Sequence, residues 1–216
     1  MDKLFDYYKD IASQMVSKGK LITLEGIDGT GKSSITKMLQ NKYPEAVFTR
    51  EPTHSWIGRA VKTAIDSDTD PLAEFFLFVA DHAEHIARVI KPSIARGKNV
   101  ISDRYSDSRY AYQGATLSNI FDDAMEFAES IHKGWTVVPD LTILFTIDPA
   151  IAVSRCGVRG EKTKFEKIEF LKTVQGNFLK LAEREPQRFV IIDAGDKLPS
   201  VELQVESVIK KFLGNE

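Results

Sequence analysis

The eleven residues LEGIDGTGKSS, Leu24 to Ser34, hold three glycines, a lysine and two serines between apolar neighbours, and their reading decides the fold. Within them Gly26-Ile27-Asp28-Gly29-Thr30-Gly31-Lys32-Ser33 fits the pattern G-x-x-x-x-G-K-[ST] at every fixed position. Glycines let the backbone turn with successive N–H groups pointing inward, which makes a nest for phosphate oxygens. A helix starting behind the loop adds the positive end of its dipole. The pattern carries this meaning only between a strand and a helix. Leu21 to Leu24 reads as a strand and Ser33 to Lys42 as a helix, so Gly26 to Ser34 is expected to hold a nucleoside triphosphate. Lys32 is placed to reach the β- and γ-phosphates, and the Ser33 hydroxyl to join the coordination of Mg²⁺.

Outward from the loop, strand-like and helix-like segments alternate without repeats or linkers. Ala46 to Thr49, Asn99 to Ser102 and Phe189 to Ile192 read as strands, and Leu141 to Ile147 as one buried on both faces. Asp70-Pro71 opens a helix, aspartate as cap and proline in the first turn, that runs to about Ile90 before Pro92. A helical region from Ser106 to His132 breaks near Gly114. Further helices start near Asp148, cover Phe165 to Leu181, and close the chain with Val201, Val205, Val208 and Phe212 on one face. The expected fold is α/β, in three layers, with a central parallel sheet of about five strands flanked by helices. Ligand sites in such sheets lie at the carboxyl ends of the strands.

Composition narrows the function classes. A length of 216 residues fits one domain, taken as 20–216. A formal net charge of −2 gives no global attraction for nucleic acid or anionic lipid, so any phosphate site must be local. The single cysteine, Cys156, fits a reducing, cytoplasmic compartment, and no apolar run approaches a membrane span. Residues 1–19 lack the apolar core of a secretory signal; Leu4, Tyr8, Ile11 and Met15 predict a short amphipathic helix there.

A triphosphate loop serves switches, motors and kinases alike. The guanine-reading N-K-x-D of a regulatory GTPase is absent, Asn41-Lys42 being followed by Tyr43-Pro44, and a single domain leaves nothing for a motor to move. A small-molecule kinase needs an acceptor pocket, cations on both sides of the transferred phosphoryl and a lid that excludes water. Asp103 ends a strand, where a carboxylate can serve Mg²⁺, and Arg104 beside it can clamp a phosphate. Arg50 and Glu51 end another. Residues 155–164 carry Arg155, Arg159, Lys162 and Lys164 among glycines, as a mobile basic lid would.

With these residues in view the chain resembles the thymidylate kinases. Four stretches carry the likeness: EGIDGTGKSS (25–34), TREPT (49–53), VISDRYSDSRYAYQG (100–114) and the basic lid leading into FEKIEFLKTVQGNFLKLA (165–182). The resemblance implies a P-loop kinase fold and phosphoryl transfer from ATP, with Mg²⁺, to dTMP in a cytoplasmic homodimer. It implies that Lys32 and the loop amides hold ATP, that Ser33 and Asp103 serve the metal, and that Asp28 faces the acceptor. Arg104 would bind the monophosphate, helped by Arg50 and Glu51. Phe78 would stack on the base, and Tyr112 and Gln113 would lie along sugar and base. Relatives carry a catalytic arginine either at the position of Gly29 or in the lid, and Arg155 and Arg159 place this chain with the latter. One departure stands out: the base-reading arginine expected four residues after Phe78 is His82, placed here at the base edge. That motivates dUMP as an alternative acceptor, while a non-catalytic nucleotide-binding module is the alternative outside enzymes. A zinc site at His82 and His85 is not expected, because no further ligand is near in sequence.

Overall fold

The computed structural model describes residues 18–157 and 161–214, with side chains described outside 161–166. The expected N-terminal helix therefore lies outside the described residues, apart from 18 and 19. So do Arg159 and the side chains of Lys162 and Lys164.

Five strands form one parallel sheet in the order β2-β3-β1-β4-β5. They are β1 (Leu21–Gly26), β2 (Val47–Arg50), β3 (Val100–Asp103), β4 (Leu141–Thr146) and β5 (Phe189–Asp193). β1 is buried throughout and β4 is buried up to Phe145, which is why both read as continuous apolar runs. Helices cover both faces: α1 (Lys32–Lys42), α2 (Trp56–Ile65), α3 (Pro71–His85), α4 (Lys91–Ala95), α5 (Ser106–Thr116), α6 (Ala124–His132), α7 (Pro149–Arg155), α8 (Glu161–Arg184) and α9 (Leu198–Leu213). The main core joins Ile22, Leu24, Ile143 and Phe145 of the sheet to Ile35, Leu39, Phe178, Val205 and Ile209 of the helices. Each such side chain contributes about 1.5–3 kcal/mol on burial.

Local chemistry explains most boundaries. Asp70 Oδ1 accepts from the N–H groups of Leu72 and Ala73, both at 3.0 Å, ahead of Pro71, and Asp148 Oδ1 accepts from Ala150 N at 2.7 Å. The helix expected to stop before Pro92 does not. After α3 the chain makes a π-helical turn over Ile86–Ile90 and resumes as α4, with Pro92 at its second position. The break expected near Gly114 falls after Thr116. α2 was not expected. Its signal was the Ser55 cap, which accepts from Gly58 N at 3.0 Å, followed by buried Val61 and Ala64.

Register sets the site. Asp103 pairs with Leu24 on one side and Arg50 on the other, so β1, β2 and β3 end abreast where the strand order turns around β1.

Candidate active site at the carboxyl edge of the sheet

A cavity of about 490 Å³ follows the glycine-rich loop, and its lining includes Lys32, Ser33, Arg50, Asp103, Arg104 and Arg155. Gly26 (φ 136°) and Gly29 (φ 84°) hold the loop against its neighbours: a Cβ would fall 2.3 Å from Phe145 O at the first and 2.5 Å from Ala152 O at the second. Beside Gly29 the space for a side chain is thus filled by the backbone of α7. No side chain caps α1, which starts behind Gly31 in the left-handed region, so its first N–H groups are open to an anion.

Lys32 Nζ turns back on the loop, donating to Gly26 O (2.9 Å), Ile27 O (2.8 Å) and Thr30 Oγ1 (3.1 Å). Burial pulls its amine down to about 7 and the Arg104 charge adds to the shift, against opposing pulls from Asp103, Asp28 and Glu25. A phosphate anion would reverse this pressure.

Arg104 joins the two halves of the site. Its Nη1 donates to Gly26 O (3.0 Å) and Ser108 Oγ (3.1 Å), its Nη2 to Asp28 Oδ1 (2.7 Å) and Tyr112 Oη (3.3 Å), and the guanidinium carbon lies 5.0 Å from the Tyr112 ring centroid. Burial alone would raise the Asp28 pKa, yet the charges of Arg104, Lys32 and Lys167 hold it below its ordinary value. Arg104 has φ 68°, a left-handed conformation that costs a side-chain-bearing residue about 1–2 kcal/mol. Its neighbours over-determine it: Arg104 N donates to Leu24 O at 3.0 Å, Ser102 Oγ donates to Arg104 O at 2.7 Å, and Tyr105 N donates to Glu25 Oε1 at 2.8 Å. Burial, with Asp107 nearby, pushes the Glu25 carboxyl up to about 8.

On the acceptor side, Phe78 of α3 faces Arg109 of α5, whose guanidinium carbon lies 4.1 Å from the ring centroid. Arg109 Nη2 donates to Glu51 Oε2 at 2.8 Å. The other carboxylate oxygen, Oε1, accepts from Nδ1 of both His82 (2.8 Å) and His85 (2.7 Å), while their Nε2 atoms meet Thr136 Oγ1 (3.3 Å) and Thr49 Oγ1 (2.7 Å). Two expectations are corrected here. Glu51 was placed around the acceptor, but it is fully buried and both its oxygens are spent on protein donors. His82 was placed at the base edge, but it is 0% exposed, packed on Tyr105 and Trp135, with both ring nitrogens engaged. Arg109, which the sequence reading did not single out, brings a guanidinium over the Phe78 ring. Gln113 is buried and Tyr112 half-buried on the same helix. Burial pushes the Tyr112 hydroxyl up to about 12.

Arg155 Nη1 donates to Ala194 O (3.0 Å) and Gly29 O (3.4 Å) at the rim of the cavity. Asp81, also missed, holds the turn after Pro52 by accepting from Thr53 N (2.8 Å), Thr53 Oγ1 (2.5 Å) and Ser55 Oγ (3.1 Å). Among the described residues no group of three or more His, Cys, Asp or Glu side chains could hold a metal ion.

Fold and loop together define a P-loop nucleotide-dependent phosphotransferase. The family described as thymidylate kinase matches residues 24–205. A probable thymidylate kinase of Methanococcoides burtonii is 61% identical over 199 residues, 91% of this chain and 98% of that protein. One of Methanosarcina mazei is 61% identical over 202 residues, covering 91% and 96% of the two chains. One of Natronomonas pharaonis is 48% identical over 192 residues, covering 87% and 96%. The chain belongs to the thymidylate kinase family. Among the described residues no helix is long and apolar enough to cross a membrane.

Proposed function

We propose that this site transfers the γ-phosphoryl of ATP to the phosphate of dTMP, giving ADP and dTDP. The observation that carries the reading is the convergence of Lys32, Arg50, Arg104 and Arg155 on one cavity in a chain of net charge −2. Two anions must be brought together there, and four cations line the cavity that would receive them. A dTMP phosphate oxygen attacks the γ-phosphorus, the bond to the β–γ bridging oxygen breaks, and ADP leaves with that electron pair. The acceptor oxygen is already anionic, so positioning and charge neutralisation outweigh a general base.

The loop amides and Lys32 hold the triphosphate, Arg104 and Arg50 grip the acceptor phosphate, and Asp28 keeps the Arg104 fork oriented between them. Phe78 is the platform for thymine, and Tyr112 lies along the deoxyribose. Mg²⁺ fits the donor set, since the exposed Ser33 hydroxyl and the Asp103 carboxylate line the same cavity as Lys32; bound there it would neutralise phosphate charge. Arg155 and Arg159 supply the lid cation. We place the protein in the cytoplasm as a homodimer, which light scattering after size exclusion tests. The dUMP alternative loses its motive, His82 being fully buried with both ring nitrogens engaged by the protein.

ADP release across dTMP, dUMP, UMP, CMP, dCMP, AMP and GMP tests the reading: kcat/KM is highest for dTMP, and a preference for another monophosphate overturns it. Lys32 adds a pH signature. Its amine sits at about 7 in the free protein, and the triphosphate raises it, so the complex binds more protons than the free protein above that pH. ATP affinity falls as pH rises above about 7. Calorimetry at pH 8 in buffers of different ionisation heat shows uptake approaching about one proton, declining toward zero near pH 6. Lys32→Met removes the uptake.

A further inference from the structure

Glu25 is the one charged side chain on β1, a strand buried from end to end, and it is 0% exposed. Burying a carboxyl there is costly where an apolar residue would not be, so what it holds needs an explanation. Its Oε1 accepts from Tyr105 N at 2.8 Å and its Oε2 from Ser108 Oγ at 2.5 Å. Both partners belong to the turn that carries Arg104 into α5. Tyr105 is the cap residue of α5 and makes no side-chain cap of its own. In a capping box a glutamate at the third helical position reaches back to the cap N–H. Here that position is Ser108, and the carboxyl arrives from β1 instead.

Arg104 is gripped by all three residues at the end of β1. Its N–H donates to Leu24 O at 3.0 Å and its Nη1 to Gly26 O at 3.0 Å, while the Ser108 hydroxyl that accepts from the same Nη1 at 3.1 Å is itself tied to Glu25. Leu24 and Gly26 act through backbone carbonyls, which any residue supplies. Glu25 alone acts through its side chain. A left-handed turn at a residue with a side chain, φ 68° here, persists only where its surroundings hold it.

We propose that Glu25 is the positioning residue of the acceptor clamp: through Tyr105 N and Ser108 Oγ it sets the turn at Arg104 and the direction of its guanidinium, without touching either nucleotide. The inference rests on Arg104 gripping the acceptor phosphate. With position 25 apolar the turn relaxes and the fork loses its aim, so the loss falls on dTMP rather than on ATP. Hydrogen bonding, not charge, does the positioning. Burial and the nearby Asp107 push the Glu25 carboxyl up to about 8, against the Ser108 hydrogen bond and the charges of Arg104 and Lys32, so at neutral pH an amide is its nearest mimic.

The test measures kcat and the KM values of dTMP and ATP at pH 7 in Glu25→Ala, Glu25→Gln and Ser108→Ala, each alone and combined with Arg104→Ala. Calorimetric dTMP affinity replaces turnover where the rate is too low. Glu25→Ala lowers kcat/KM for dTMP roughly 10- to 100-fold, up to the cost of an ångström of misplacement, while KM for ATP stays within about threefold. Ser108→Ala, which keeps the test open if Glu25→Ala does not fold, loses about 3- to 10-fold, one hydrogen bond of the two being gone. Glu25→Gln keeps an acceptor for Tyr105 N and a polar partner for Ser108, and restores dTMP kinetics to within about threefold of wild type. In the Arg104→Ala background neither Glu25→Ala nor Ser108→Ala weakens dTMP further, because their effect runs through that guanidinium. A loss that ATP and dTMP share equally, or that persists undiminished beside Arg104→Ala, marks a merely structural carboxyl and overturns the proposal. So does a Glu25→Gln as impaired as Glu25→Ala. Impairment in Arg104→Ala with Glu25→Ala and Ser108→Ala both unchanged overturns the inference alone, whereas wild-type dTMP kinetics in Arg104→Ala overturn the clamp it rests on.

Discussion

Replacing Arg104 by alanine lowers kcat/KM for dTMP by about 10³-fold, the scale of losing a preorganised cation at a transferring phosphoryl group. The size follows from its position. One guanidinium bonds the P-loop carbonyl of Gly26, the Asp28 carboxylate, Ser108 and the Tyr112 hydroxyl, so its loss removes the cation proposed to grip the phosphate and unties Asp28 and Tyr112 together. Arg104→Lys recovers only part of the rate, because a point charge cannot bridge four partners with a planar fork. The same residue separates activity from stability. With φ 68° at this position, Arg104→Gly relieves a left-handed strain that Arg104→Ala keeps, so the glycine variant is the more stable by about 1 kcal/mol while equally inactive. Steady-state kinetics beside urea unfolding measure both effects. Activity within tenfold of wild type in Arg104→Ala would remove this residue from the acceptor site.

Glu51→Ala destabilises the fold by roughly 3–5 kcal/mol, the cost of removing one partner from a buried ion pair. It leaves the Arg109 guanidinium, 4% exposed, without its carboxylate, and the His82 and His85 Nδ1 donors without an acceptor. Burial alone would raise the Glu51 pKa, but the charge and hydrogen bond of His82, the hydrogen bond of His85 and the charge of Arg109 bring it well below its ordinary 4.5. The sign follows from that depression. The folded protein holds this proton less readily than the unfolded chain, so the contribution of Glu51 is complete above about pH 4.5 and fades as pH falls toward the folded pKa. The urea midpoints of wild type and Glu51→Ala are accordingly far apart at neutral pH and converge in acid. Midpoints that coincide at pH 7 would show the cluster to be dispensable.

The parts of this site that were legible in the sequence are those set by a few adjacent residues. The loop from Gly26 to Ser33 announces itself because the chemistry and the turn occupy the same eight positions. Asp103-Arg104 follows from standing at the end of a strand that only a sheet core could use. The Arg109 contact was hidden for the opposite reason. SDSRYAYQG reads as a polar helix for solvent, yet Ser106, Asp107, Ser108 and Arg109 are all buried. Their partners, Arg188 for Asp107 and Glu51 for Arg109, lie 81 and 58 residues away, beyond any local pattern. His82 was misplaced similarly: helical spacing put it on the face of Phe78, but only the fold reveals that Glu51 waits beneath it.

The close seat of Gly29 on Ala152 also limits how this enzyme can be redesigned. A side chain there meets the carbonyl oxygen of α7, 2.5 Å from where its first carbon would stand, in a backbone conformation that already favours glycine. Grafting an arginine onto the loop would push α7 outward, and α7 is the segment that delivers Arg155 to the rim. The two arrangements of charge are therefore mutually exclusive in this scaffold, and a chimera that combines a loop arginine with the native lid should lose more than it gains.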